Sequence, residues 1–269
     1  QRVDVGIADG VIVAVAADGV GPGARELDAG GALISPALIE PHFHLENALL
    51  WDTPNRSGTL EEAIRLYAAI KRDMPADDIM RRASAVLREA VANGVLWLRC
   101  HVDIDRVAGL RILDAILPVR ERFRHLIDVQ IIAFPQHGMA RDPAVVDLMW
   151  AAMERGADLV GGMPHGERDM DDAARQIEIA FEIARHYDAD VDMHIDETDD
   201  PYWHSLEPLA EQTIANGYQG RVAAGHCCAM AAWDDAMAAR IIEKVRDAGV
   251  HVITNAPINL LLEGRHDPQ

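Results

Sequence analysis

Four short segments of the chain carry residues suited to metal and proton chemistry. Pro41-His42-Phe43-His44 sets two imidazoles one residue apart, and His194-Ile195-Asp196-Glu197 sets an imidazole ahead of two carboxylates. Gly225-His226 adds a further imidazole, and Phe134-Pro135-Gln136 ends in a side-chain amide. Alternate residues of a strand point the same way, so His42 and His44 can both reach one ion if the chain there is extended. Neutral imidazole suits Zn²⁺ or Fe²⁺, and a catalytic site keeps one position for water. Such an ion makes a hydroxide nucleophile available near pH 7. Attack on an amidine-like ring carbon then needs a proton delivered to the ring nitrogen, and Glu197 stands where a general acid/base is wanted. His226 is a candidate for orienting the nucleophile or stabilising charge at the reacting carbon. Gln136 offers a donor and an acceptor to a lactam or amide edge.

Each signal is weak alone. A lone strand histidine is usually a satisfied structural residue, Glu197 sits in an acidic stretch with Asp196, Asp199 and Asp200, and Gln136 serves equally as a structural hydrogen-bonding group. Their joint placement carries the argument.

That placement depends on the elements that deliver the residues. Val3 to Ala8 and Val11 to Ala16 alternate as strands about Asp9-Gly10, a hairpin signal. Residues 1–31 therefore read as part of a small β-domain, and residues 32–269 as the main one. From Ala32 apolar strands alternate with amphipathic helices. The strand candidates are Leu33–His42, Val95–Val102, Ile127–Phe134, Leu159–Met163, Val191–His194, Val222–His226 and Val250–Asn255. Helices are expected over Leu60–Asp73, Asp77–Asn93, Leu110–Arg124, Ala144–Arg155, Asp171–Tyr187, Leu206–Asn216 and Ala236–Ala248. Several end in Gly, as at Asn93-Gly94 and Ala248-Gly249, which suits a left-handed helix C-terminus.

Regular β-then-α alternation implies parallel strands, in a doubly wound sheet or a closed barrel. No GxGxxG follows the first strand, which removes the main support for dinucleotide binding. The expected class is α/β, a (β/α) barrel. Its chemical residues all fall at the C-terminal ends of strands, where barrel enzymes build their sites.

The order of these motifs resembles the amidohydrolase superfamily, and most closely its cytosine deaminase branch. Glu40-Pro41-His42-Phe43-His44, Phe134-Pro135-Gln136, Met163-Pro164-His165, His194 to Glu197 and Gly225-His226 carry the resemblance. Asn55 to Leu60, Cys100-His101-Val102-Asp103, and Asn259 through Gly264-Arg265 extend it over nearly the whole chain. The resemblance implies a (β/α)₈ TIM barrel of the metal-dependent hydrolase type, with a small flanking β-sandwich built from both chain ends. It implies one divalent metal, Zn²⁺ or Fe²⁺, held by His42, His44, His194 and an Asp after the eighth strand. It implies Glu197 as proton shuttle, His226 as the residue that positions hydroxide, and Gln136 as the contact to a pyrimidine. The expected activity is hydrolytic deamination of a small nitrogen heterocycle, cytosine or isoguanine, with release of ammonia. The alternatives are a related cyclic C–N hydrolase acting on an N-alkylammelide or triazine, and a non-catalytic metal-binding paralogue.

The chain departs from the family pattern at Glu46, where Asp is expected, at His137, where Glu is expected, and at Cys227-Cys228, where Thr is usual. All are expected near the pocket, which leaves isoguanine, another pyrimidine, a pterin or a substituted triazine open as substrate.

Composition excludes other classes. The formal net charge of −19 disfavours nucleic acid and anionic membranes, which are bound mainly through Lys and Arg. Cys100, Cys227 and Cys228 cannot pair fully and form no CxxC, which fits a reducing cytoplasm and excludes the deaminases with a PCxxC zinc motif. HExxH is absent, which excludes zincin chemistry. No apolar run is long enough to span a bilayer. The expected partner is a small heterocyclic substrate, and the expected assembly is a homo-oligomer.

Seven strand candidates are one short of a closed barrel. Asp267 follows a loop and no strand end, so it substitutes poorly for the missing Asp ligand. The chain is therefore expected to be part of a longer protein, with a gap or exposed apolar edges between the seventh strand and the first.

Overall fold

The computed structural model describes residues 2–50 and 54–263. It divides into two compact units, Gln1–Pro36 and Ala37–Gln269. In the first, β1 (Asp4–Ala8) pairs antiparallel with β2 (Val11–Ala16). Asp9 and Gly10 both take positive φ, 52° and 78°. That is the two-residue turn whose twist matches the flanking strands.

The second unit is a parallel sheet in the order β3 (Leu38–Phe43), β4 (Val95–Asp103), β5 (Asp128–Phe134), β6 (Leu159–Val160), β7 (Asp190–Ile195), β8 (Val222–His226) and β9 (His251–Ile253). Between them run α1 (Leu60–Lys71), α2 (Ala76–Ala92), α3 (Arg111–Phe123), α4 (Pro143–Arg155), α5 (Met170–Tyr187), α6 (Leu206–Ala215) and α7 (Asp235–Ala248). Spatial order follows chain order throughout, as in a barrel wall. Among the described residues no ladder joins β9 to β3. Leu38 and Ile39 on one of these strands and Val252 on the other are exposed.

All seven barrel strands fall where the pattern puts them, with shifted ends: β4 and β7 run longer, and β5, β6 and β9 shorter. The first begins at Leu38 rather than Leu33, because Pro36 has no N–H for a ladder. The fourth stops at Val160 rather than Met163. At Gly161 a Cβ would stand 2.6 Å from the Ala133 carbonyl oxygen, so the chain passes closer to its neighbour than any side chain permits. Three short segments go beyond the sequence expectation: 3-10 turns at Pro164–Gly166 and Cys228–Ala232, and a helix, α8 (Ala256–Leu262). Gly264 through Asp267 lie outside the described residues.

Period-two alternation sorts the strands into two faces. On β4, Leu98, Cys100 and Val102 join the main apolar core; on β7, Val191, Met193 and Ile195 do the same. The intervening Arg99, His101, Asp192 and His194 turn to the barrel interior, where Arg99 donates to Gln130 Oε1 (2.9 Å) and to Asp192 Oδ2 (2.8 Å). The interior is thus polar at its base and imidazole-lined above it.

Candidate active site

Strand ends β3, β7 and β8 bring four histidines together. His44 Nε2 lies 3.1 Å from His194 Nε2, and His42 Nε2 lies 3.1 Å from His226 Nε2. Among the described residues, His42, His194 and His226 form a group whose ligand atoms all lie within 4.8 Å of one another. His44 stands outside that group and meets it at His194. Phe134 stacks on the His194 ring with centroids 4.2 Å apart, which fixes its plane.

Burial, reinforced by neighbouring imidazoles, holds the rings of His42, His194 and His226 neutral. His42 is pushed down to about 2 and His226 to about 3, and His194 lies well below the usual histidine range for the same reasons. Neutral imidazole keeps a lone pair free for a metal. Two nitrogens placed about 2.0–2.1 Å from one tetrahedral ion stand roughly 3.3 Å apart, close to the His44–His194 and His42–His226 separations of 3.1 Å. The grouped nitrogens of His42, His194 and His226 fit one small divalent ion, and His44 meets that group at His194.

Local backbone explains how the residues reach this point. Asp196, His226 and Cys227 take positive φ of 48°, 71° and 55°, a conformation that L-residues rarely adopt and that clusters at functional sites. Asp196 sustains its turn by accepting from Ser205 N (2.9 Å), Ser205 Oγ (2.6 Å) and Leu206 N (3.0 Å) at the start of α6. Cys227 N donates to the Ile195 carbonyl (2.8 Å) and Ala229 N to the Asp196 carbonyl (3.0 Å), tying the ends of β7 and β8 together. Gly225 gives His42 its space, since a Cβ there would meet the ring at 3.1 Å.

Glu197, directly after Asp196, is buried, and its Oε1 lies 3.1 Å from His226 Nδ1. Burial, and then the nearby Glu263 carboxylate, pushes its pKa well above the usual carboxylate range. Burial thus favours the neutral form of both partners across this 3.1 Å contact. Asn259 Nδ2 also reaches His226 Nδ1 (2.9 Å) and donates to Glu263 Oε2 (3.3 Å), so α8 closes over this pair.

A cavity of about 360 Å³ opens on these groups. His42, His44, His194, His226, Glu197 and Gln136 all line it, with an apolar wall that includes Ile64, Met163, Ile258 and Leu262. All six residues singled out from the sequence thus share one space. The departures from the family pattern stand near the pocket without lining it: Glu46 Oε1 lies 3.9 Å from His44 Nδ1, His137 follows Gln136, and Cys227-Cys228 follow His226. Glu46 is fully buried and accepts from Asp103 N (3.3 Å), while His137 Nε2 lies 3.2 Å from the buried Lys71 Nζ. Sequence reasoning assigned no role to Arg99, Asp192 or Lys71. The inward phase of Arg99 on β4 and of Asp192 on β7 was the available signal for the first two; nothing local marks Lys71.

Comparison with known proteins agrees with this geometry. In solved structures, 5-methylcytosine deaminase from Klebsiella pneumoniae superposes with a TM-score of 0.90 at 34% identity, over 100% of this chain and 67% of that one. N-isopropylammelide isopropyl amidohydrolase of Pseudomonas sp. strain ADP is 30% identical over 93% of this chain and 64% of its own length. A pterin deaminase of Rhizobium rhizogenes is 29% identical over 99% of this chain and 61% of its own length. The chain therefore spans less than two thirds of these two curated relatives. The model of the amidohydrolase family matches residues 85–269, more than half of the chain. The chain belongs to the amidohydrolase family.

Proposed function

We propose that the protein is a metal-dependent hydrolytic deaminase of a small nitrogen heterocycle, cytosine or a related base such as isoguanine, releasing ammonia. The observation that carries this reading is the convergence of four imidazoles with a buried carboxyl on one cavity of about 360 Å³. That volume falls in the ordinary range for small-molecule sites. His42, His44 and His194 would hold the ion, Zn²⁺ or Fe²⁺, with His226 beside them. When bound, the ion supplies Lewis acidity that makes water nucleophilic near neutral pH. Glu197 holds a proton at Oε1 and delivers it to the ring nitrogen or the departing amine. His226 takes part in that transfer through Nδ1 and orients the attacking oxygen. Gln136 pairs with the amide edge of the ring and sets which carbon faces the histidines.

The relatives named as 5-methylcytosine and pterin deaminases support deamination. A second reading, release of an alkylamine from an N-alkylammelide, has its own support. The curated relative from Pseudomonas carries that name, and the wall of Ile64, Ile258 and Leu262 suits an alkyl group. The free thiols of Cys100, Cys227 and Cys228 support a reducing, cytoplasmic setting.

The test is a panel of cytosine, 5-methylcytosine, isoguanine, pterin and N-isopropylammelide with the metal-loaded protein. Ammonia from one of the first four supports deamination, and isopropylamine from the last supports the second reading. Metal bound tightly with no turnover of any of them marks a non-catalytic paralogue.

A further inference from the structure

A buried carboxylate outside the histidine cluster holds the loop that carries Gln136. Glu167 follows the 3-10 turn Pro164–Gly166 and is 5% exposed. Its Oε1 accepts from Met139 N (2.6 Å) and Ala140 N (2.8 Å), and its Oε2 from Arg141 N (3.1 Å). Gln176, on α5, donates to Glu167 Oε1 (2.5 Å) and accepts from Met163 N (2.6 Å). Successive backbone N–H groups turned to one side form a concavity suited to an anion. Here the anion is a side chain of the same chain, braced from behind by Gln176.

Gly138 makes the contact possible. Its φ is +88°, and a Cβ there would stand 2.7 Å from Glu167 Oε1. Gly138 N donates to the Pro135 carbonyl (2.9 Å), closing the turn that contains Gln136, and Arg141 Nε donates to the His137 carbonyl (2.7 Å). The loop from Pro135 to Arg141 thus has one fixed end on β5 and one on Glu167, with Gln136 between them.

We propose that Glu167 is a positioning residue that sets how far the Gln136 amide reaches into the cavity, and so selects heterocycles with an amide or lactam edge. The selection rests on the reading of Gln136 given under the proposed function. The hold on the loop does not.

Glu167→Gln replaces one acceptor oxygen with a donor amide and sets N–H against N–H in the concavity. Hydrogen exchange in the peptide covering residues 136–141 should rise about ten-fold, the size of one lost buried hydrogen bond. For the panel heterocycle turned over fastest, kcat/KM should fall about ten-fold, mostly through KM. In a Gln136→Ala background the same change should alter kcat/KM by less than about two-fold, because the route through Gln136 is gone. Gly138→Ala attacks the contact from the loop side. It should reproduce both effects, and it carries the test if Glu167→Gln does not fold.

Unchanged exchange overturns the proposal. So do effects of Glu167→Gln and Gln136→Ala that multiply, or a fall in thermal stability with KM untouched. If no heterocycle of the panel turns over, the proposed function has failed, and the exchange measurement still decides whether Glu167 holds the loop. If Gln136→Ala alone leaves kcat/KM unchanged, Gln136 does not read the substrate and the selective role of Glu167 falls with it.

Discussion

Removing the amino group of Lys71 should expose how much of the barrel's stability depends on one buried cation. Lys71 ends α1 with a fully buried side chain whose Nζ meets the carboxylates of Asp103 and Asp105. The two carboxyls are not equivalent. Asp105 is buried too, but the Ala108 N–H (2.8 Å) and Lys71 outweigh that burial and hold it below the usual range. Asp103 is pushed up to about 7 by burial, only partly opposed by Lys71. Lys71→Met keeps the aliphatic stem and leaves Asp105 as an unpaired buried anion. Breaking a buried pair by deleting one partner costs about 3–5 kcal/mol. That corresponds to a fall in Tm of about 6–10 °C, at roughly 2 °C per kcal/mol for a chain of this size. The deficit should depend on pH. Asp103 binds its proton more tightly folded than unfolded, so its contribution is fullest below about pH 4 and is lost as pH rises toward 7. Without Lys71 the folded pKa climbs further, so the deficit should be larger at pH 8 than at pH 5. The part due to Asp105 should persist at both. Adding Asp105→Asn to Lys71→Met should recover most of the loss, since a neutral amide has no charge to strand. Differential scanning calorimetry of the wild type, the single variant and the double variant at both pH values supplies the comparison. A deficit under about 1 kcal/mol at pH 8, or no recovery in the double variant, would refute the reasoning.

Three further outcomes follow from the site. Glu197→Gln should lower kcat about 10²–10⁴-fold with the metal content unchanged, because Gln cannot hold and release the proton; steady-state kinetics beside elemental analysis reads both, and near-normal turnover removes Glu197 from the mechanism. Gly225→Ala should displace the His42 ring, which a Cβ would meet at 3.1 Å; metal occupancy by mass spectrometry should drop, and full occupancy would show that the ring has room to move. His165, pushed down to about 4 by burial, is neutral in the fold and protonates first in the unfolded chain. Its stabilising effect is complete above about pH 6.5 and lost as pH falls toward 4, so His165→Leu should flatten the acid limb of a Tm-against-pH curve, and an unchanged slope would contradict the assignment.

The six site residues were legible in the sequence because barrel geometry maps strand ends onto one face. Once His42, His194 and His226 are read as strand termini, their meeting follows from topology. The alternation of apolar runs and capped helices placed every barrel strand and helix through α7 for the same reason: burial on both faces of a parallel sheet leaves a strong local signature. Elements whose form depends on non-local contacts were not legible. α8 has Pro257 in its first turn and no long apolar period, and its value to the site is the meeting of Asn259 with His226. β6 ends at Val160 beside the close passage of Gly161 against Ala133, whose carbonyl accepts from Gly161 N (2.8 Å), a contact between separate strands.

The sequence by itself therefore determined the class of fold, the order of the strands and which imidazole and carboxyl groups meet at one end of them. Those properties are written in periodicity and residue type. The tertiary structure alone decided which charges are stranded and which are held. Lys71 looks like an ordinary basic residue at the end of a helix, favoured there by the helix dipole. Only the approach of β4 and its following loop turns it into a buried counter-ion for Asp103 and Asp105. Glu167 looks like a solvated loop carboxylate until α5 and the loop after β5 close on it. The physical reason is the same in both cases: desolvation is a property of what surrounds a group in space, and sequence neighbours supply only a small part of that surrounding.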